Sequence, residues 1–301
     1  MKLYRLSALA LFVGCSVFHL AAQTPTTKVS TNRTTKHCLW EVKGKSNTVF
    51  LLGSLHLMKK EMYPLDAAIE TAYREARVVV FETDIAALES PEFAMKLMAQ
   101  ATYPEGETLK KNLPEATYSL LVSNLQASIG SAEAFEKFKP WMVAVTLVAL
   151  ELQKLGFSAE KGLDKHFYSR AKEDKKPIQS LETPDEQLKL LTSLNDLEAG
   201  DFLGQSLRDM ATWKTQFNAL VEAWQAGDTS GLEKILNESF KEYPAIQKKF
   251  LTGRNDKWLG KIEKLLQGDT NALVVVGAGH LVGKDSVVDL LSRKGFKPEQ
   301  R

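Results

Sequence analysis

Two stretches more than two hundred residues apart share one pattern. The first is Val49-Phe50-Leu51-Leu52-Gly53-Ser54-Leu55-His56-Leu57, and the second is Leu273-Val274-Val275-Val276-Gly277-Ala278-Gly279-His280-Leu281. Each is an apolar run, a glycine, and a histidine three residues later. A short Val- and Leu-rich run stopped by glycine predicts a strand buried on both faces, as in a parallel sheet. Ligands of such sheets sit beyond the carboxyl ends of the strands. If the two strands lie near each other, His56 and His280 face one site.

The stretches between them predict a chain that alternates strands with helices. Cys38 to Val42 and Thr48 to Leu52 flank a Gly/Ser/Asn turn and predict a hairpin. Tyr63-Pro64-Leu65-Asp66 opens a helix, and Val78 to Phe81 is a second buried strand, giving a β-α-β unit. Residues 85 to 157 read as mostly helical, with Trp141 to Leu155 apolar enough for a core helix. Gly162-Leu163-Asp164 precedes another helix, and Ile178 to Leu181 is a further strand. Thr183-Pro184-Asp185-Glu186 is a strong helix start. Leu203, Leu207, Met210, Trp213, Phe217, Leu220 and Trp224 recur at helical spacing, which predicts one or two long helices with a core or interface stripe. The expected class is therefore α/β, a central and largely parallel sheet with many helices.

The amino terminus predicts export. Lys2 and Arg5 precede a largely apolar stretch from Leu6 to Leu20, and Ala21-Ala22 supply small residues, so residues 1–22 read as a signal peptide. A second route is lipoprotein processing with a lipid anchor at Cys15, because Phe12-Val13-Gly14-Cys15 loosely resembles a lipobox. Residues 23–36 read as a flexible polar leader and 37–301 as a single domain, since no long Pro- or Gly-rich linker divides them. Lys2 and Arg5 are two of 39 basic residues, so a chain without them balances its 37 acidic ones. That neutrality argues against a nucleic-acid partner, which calls for a basic patch or stripe. Cleavage leaves Cys38 alone, which excludes an intrachain disulfide and reads as a buried small hydrophobe.

Four predicted strands end in a group able to bind metal or move protons: His56, His280, Glu82 and Glu182. Two imidazoles and two carboxylates suit a divalent metal, with Mn, Co, Zn and Fe all compatible. Either histidine alone would be ordinary, and a glutamate after a strand is often solvated; the matched contexts are what point to a site. No H-E-x-x-H or C-x-x-C spacing is present. His37 and His166 lack such a setting and read as structural or surface. Arg254, by spacing alone, reads as a helix-surface charge.

Together these residues resemble one family. The set is Gly53-Ser54-Leu55-His56, Tyr63-Pro64-Leu65, Val80-Phe81-Glu82, Gly162-Leu163-Asp164, Leu181-Glu182-Thr183 with Gln187, Arg254-Asn255 with Trp258, and Gly277-Ala278-Gly279-His280-Leu281. In this order, from about Cys38 to the end, it resembles the TraB/GumN family, which is related to the Tiki proteases. The resemblance implies a fold of the erythromycin-esterase and ChaN-like kind. It also implies a metal-dependent hydrolase site of His56, Glu82, Glu182 and His280, supported by Arg254 and Asn255.

The expected function is a periplasmic or secreted metal-dependent hydrolase, peptidase-like, acting on a peptide or small-molecule substrate with a metal-activated water. One glutamate would be the general base and the other a ligand or orienting group, with Arg254 steadying the oxyanion. Two other classes stay open at this point: a haem- or ligand-binding protein, as ChaN-like relatives imply, and an esterase that needs no metal.

Overall fold

The computed structural model describes residues 36–128, 131–240 and 244–301. The signal segment, Cys15 and all but the last residue of the leader lie outside these. Among the described residues, no helix is long and apolar enough to cross a membrane.

The fold is mixed α/β, built on a six-stranded sheet. Its strands are β1 (Leu39–Lys43), β2 (Thr48–Ser54), β3 (Val78–Phe81), β4 (Ile178–Ser180), β5 (Ala272–Gly277) and β6 (Glu299–Gln300), in the order β4-β3-β5-β2-β1-β6. β4, β3, β5 and β2 run parallel. β1 pairs antiparallel with β2 as the hairpin predicts, and β6 pairs antiparallel with β1. The sheet is thus parallel over four strands and antiparallel at one edge. β2, β3 and β5 are buried along their whole length, as unbroken apolar runs require when helices cover both faces. Each fully buried Val or Leu there contributes roughly 1.5–3 kcal/mol.

The helix between β2 and β3, Ala67–Glu75, carries the chain past one strand position. β5 later fills that gap, with Leu52 and Phe81 both in register with Val275. The two histidine motifs therefore become neighbours through a strand that arrives more than two hundred residues after the first. Gly53 sits at their contact. A Cβ there would lie 2.3 Å from Cys38 Sγ and 3.1 Å from Ala278 Cα, so no side chain fits between hairpin and second motif.

The expected core helix spans Pro140–Lys154, with most of its apolar residues buried. The long stripe resolves into two helices, Asp196–Asp209 and Trp213–Gln225. Trp224 from the second donates its indole N–H to the Gly53 carbonyl at 2.7 Å, tying the stripe to the first motif. Cys38 is buried beside the sheet, and burial pushes its thiol up to about 12, as for an inert core residue.

Candidate active site

The carboxyl ends of the four parallel strands bring His56, Glu82, Glu182 and His280 to one edge. Behind them runs the helix Gly253–Gln267, entered through a π-helical turn over Lys248–Thr252. That helix places Arg254 and Asn255 in its first turn, both buried. Spacing alone suggests a surface charge at Arg254, whereas the family resemblance puts it in the site. The structure buries it to 2% exposure at the centre of the site, where two acids compensate the desolvated guanidinium.

Arg254 organises the acids. Its Nη2 donates to Glu82 Oε2 and to Glu182 Oε1, and its Nε donates to Glu182 Oε2 at 3.2 Å. Its Nη1 donates to the Phe250 carbonyl at 3.2 Å and reaches His280 Nε2 at 3.1 Å. The Trp258 indole N–H also donates to Glu182 Oε2, at 3.2 Å, and the Trp258 ring lies under the guanidinium at 4.6 Å. Glu182 is thereby fixed on both oxygens. Glu82 Oε2 also accepts from Gln187 Nε2 at 3.3 Å, and Oε1 accepts the Gly277 backbone N–H at 2.7 Å. Burial raises the Glu182 carboxyl above the usual carboxylate range, against the pull of Arg254.

Each histidine is oriented from behind. Asn255 Nδ2 donates to the Asp285 carbonyl at 2.9 Å, which leaves its Oδ1 to accept from His280 Nδ1 at 2.6 Å. The His280 lone pair is therefore on Nε2. His56 Nδ1 meets Asp164 Oδ2 at 2.8 Å, an oxygen that also accepts from Ser54 Oγ at 2.8 Å. The His56 Nε2 atom is buried and has no hydrogen-bond partner. Both Nε2 atoms look toward Glu82 Oε1, at 4.0 Å from His56 and 3.8 Å from His280.

The two rings differ in charge. Burial opposes protonation of His56, but the Asp164 carboxylate, aided by Glu82, outweighs it and raises the ring to about 9. Burial likewise raises Asp164, yet the charge of His56 and its hydrogen bond hold the carboxyl below its ordinary value. His280 is fully buried, and burial together with the Arg254 charge pushes it well below its ordinary value.

Among the described residues, no three of His, Cys, Asp and Glu stand close enough to form a ready-made metal cluster. Arg254 instead holds both Glu182 oxygens, Glu82 Oε2 and the His280 Nε2 lone pair, so a metal there has to displace the Arg254 Nη1 hydrogen bond to His280. The chemistry of the remaining donors nevertheless fits one. Both histidines keep Nε2 inward with Nδ1 held by an oxygen acceptor, the usual outer-shell arrangement of metal-binding histidine. His56 Nε2 is an orphaned buried atom, and three acids (Glu82, Glu182, Asp164) outnumber the one guanidinium.

A cleft of about 640 Å³, counting its open mouth, reaches His56, Glu82, Asp164 and Gln187. Sequence patterns assign Asp164 no chemical role, placing Gly162-Leu163-Asp164 only before a helix and among the residues of the family resemblance. Gly162 was its signal. A Cβ at Gly162 would lie 2.1 Å from the His56 carbonyl oxygen, so glycine lets the helix Leu163–Glu173 dock against the histidine loop. Of the other histidines, His37 pairs with Asp66 at 3.2 Å and His166 packs against Tyr63 and Phe167.

The sequence profile of the TraB/PrgY/gumN family matches residues 38–300. The chain belongs to that family. Among curated relatives, the uncharacterized protein YbaP of Escherichia coli K12 is 26% identical over 247 residues, covering 80% of this chain and 86% of YbaP. Metalloprotease TIKI2 of Danio rerio is 23% identical over 316 residues, covering 87% of this chain and 60% of TIKI2. A metalloprotease TIKI homolog of Nematostella vectensis is 22% identical over 326 residues, covering 87% of this chain and 67% of that protein. No solved structure matches the chain. Within the TraB/PrgY/gumN family, then, this member carries both histidine motifs on adjacent parallel strands.

Proposed function

We propose that this chain is an exported, metal-dependent hydrolase that cleaves peptides at the cleft beside His56. The observation that carries the reading is the convergence of His56 Nε2 and His280 Nε2 on Glu82 Oε1, at 4.0 and 3.8 Å. The two relatives named as metalloproteases support it. The erythromycin-esterase and ChaN-like fold belongs to the same proposal, supported by four parallel strands delivering acids and histidines to one edge.

His56 Nε2 and His280 Nε2 would hold the metal, the latter on giving up its hydrogen bond from Arg254 Nη1, with Glu82 Oε1 next to both. A divalent ion bound there supplies Lewis acidity and a water acidified toward neutral pH. Glu82 is the general base. It lines the cleft, and Oε1 takes the proton of the attacking water while Oε2 stays fixed by Arg254 and Gln187. Glu182 is the orienting acid, locked behind Arg254 and Trp258. Arg254 is a positioning residue. Its fork is turned to both acids, His280 and the Phe250 carbonyl, so it steadies the base and not the oxyanion. Asp164 and Asn255 hold the two imidazoles in the tautomer that metal binding requires. Export is supported by the charged and apolar amino-terminal segment.

The test is the metal content of residues 23–301 after exposure to Mn, Co and Zn, beside His56→Ala and His280→Ala. Near-stoichiometric metal, lost in both folded variants, with metal-dependent cleavage of a peptide library, is the expected result. A folded parent that takes up none of the three metals would refute the reading.

A further inference from the structure

The cleft beside His56 has a chemical character that the hydrolytic machinery does not explain. Its walls include Phe81, Ile85, Leu88 and Ala159. Ile85 and Leu88 belong to the one-turn helix Ile85–Leu88, which follows Glu82 and Thr83 and is capped by Asp84. Phe81 is buried, while Ile85, Leu88 and Ala159 are only half-buried. Apolar side chains left partly open along the wall of a concave site, near polar groups that can react, are the usual makings of a specificity pocket.

One polar atom outside the hydrolytic machinery marks the same cleft as a place for a ligand. Thr83 lines it, is 4% exposed, and its Oγ1 has no hydrogen-bond partner. A buried hydroxyl without a partner costs free energy that a substrate carbonyl or amide can recover.

The charges select further. At the mouth, Lys165 is shared between Glu89 and Glu160, the latter at 2.8 Å, which leaves one acid in excess. Deeper in, Glu82 and Asp164 line the floor. Acidic groups of a ligand meet an excess of negative charge, since Glu82, Asp164, Glu89 and Glu160 face only Lys165 and the His56 ring, and both cations are already paired with acids of the lining.

We infer that the Phe81–Ile85–Leu88–Ala159 wall is a substrate subsite for an uncharged apolar side chain beside the cleaved bond, with the Thr83 hydroxyl as hydrogen-bonding anchor for the peptide backbone. Calling that ligand a substrate rests on the hydrolase reading; the side-chain preference of the cleft does not. Pockets of this kind discriminate through burial and through the exclusion of unpaired charge, which yields tenfold effects or more.

Two measurements test it. The first is an NMR titration of the full mature chain with N-acetyl-leucine amide and with the corresponding aspartic acid derivative, without added metal or turnover. The leucine derivative should bind at least tenfold more tightly, and Leu88→Lys should reverse the order. Equal binding, no binding of either, or an unchanged order in Leu88→Lys would each overturn the subsite. The second is cleavage of a positional peptide library by the metal-loaded chain. An apolar preference at one position, shifted toward acidic residues by Leu88→Lys, supports the subsite; cleavage with no such preference overturns it. Absence of all cleavage refutes the peptidase reading, and the titration then decides the subsite by itself. Thr83→Val, which keeps shape and removes the hydroxyl, should weaken leucine-derivative binding several-fold without altering the leucine-over-aspartate order.

Discussion

His56 and His280 leave neighbouring strands through the same motif, yet the protein treats the two rings in opposite ways. His56 is backed by a carboxylate, borders the cleft, and is held charged up to about pH 9. His280 is backed by a neutral amide, lies fully buried beside a guanidinium, and is held neutral. The backbone pattern only delivers an imidazole to the sheet edge. Burial pushes both rings toward neutrality, and their charges part because the Asp164 and Glu82 carboxylates outweigh it at His56 while Arg254 adds to it at His280. A metal bound to both must displace a proton from His56 and none from His280, so metal affinity should be pH-dependent through one ring.

The largest way to break this contrast is Arg254→Met. It leaves Glu82 and Glu182 buried side by side without their shared cation, and breaking a buried pair from one side costs about 3–5 kcal/mol. Urea unfolding at neutral pH should show that loss, and His280 should titrate nearer its ordinary value. Arg254→Lys should recover little, because an ammonium cannot serve two acids, a carbonyl and an imidazole from one planar fork. A loss below about 1 kcal/mol, on the scale of an exposed ion pair, would mean that the acids are not held as described.

Next in size is a pair of opposite pH slopes in the metal-free protein. The folded value of His56, about 9, lies above its unfolded 6.5. Its contribution is therefore fully present below pH 6.5 and is lost as pH rises through 9, about 3 kcal/mol at most by linkage. His280 is depressed, so its contribution is present above pH 6.5 and is lost as pH falls toward its folded value. Stability curves from pH 4.5 to 9.5 should lose their alkaline limb in His56→Gln and their acid limb in His280→Gln. Both substitutions acting on the same limb would show that the two settings are not opposed.

Asp164→Asn comes third. It removes the charge that keeps His56 protonated, so the imidazole should titrate well below 9 by NMR. It should also weaken metal binding about 10- to 100-fold, the usual effect of losing the acceptor behind a ligating histidine. Unchanged metal affinity in a folded variant would remove Asp164 from the site.

The sequence exposed one side of this contrast and hid the other. The apolar runs ending in Gly53 and Gly277 marked β2 and β5, because a parallel strand buried on both faces has no polar alternation to obscure it. Glu82 and Glu182 followed from the ends of β3 and β4 by the same logic. What sets the electrostatics lies far away in the chain: Arg254 meets Glu182 and Glu82 across 72 and 172 residues, and Asp164 meets His56 across 108. No local pattern encodes such pairings. An arginine in a helix's first turn looks the same whether that turn faces water or two buried acids. β6 escaped for a different reason. Glu299–Gln300 is two polar residues whose strand character comes only from pairing with Trp40 and Glu41.

The smallest change sharpens the comparison by making one histidine imitate the other. Asn255→Asp puts a carboxylate on His280 Nδ1, as Asp164 stands on His56. An opposite charge at hydrogen-bond distance raises a histidine, but here Arg254 stays 3.1 Å from Nε2 and keeps pushing it down. The new acid also gives up the amide bond to the Asp285 carbonyl. The expected net result is a rise of about one pH unit at His280, worth ~1.4 kcal/mol, read by NMR titration beside an unmoved His56. A rise as large as that of His56 would mean that the group behind Nδ1 alone decides the charge of each ring. No rise at all would mean that burial and Arg254 together outweigh any group behind Nδ1. An intermediate value would assign the contrast to both, with the guanidinium as the part that the two motifs do not share.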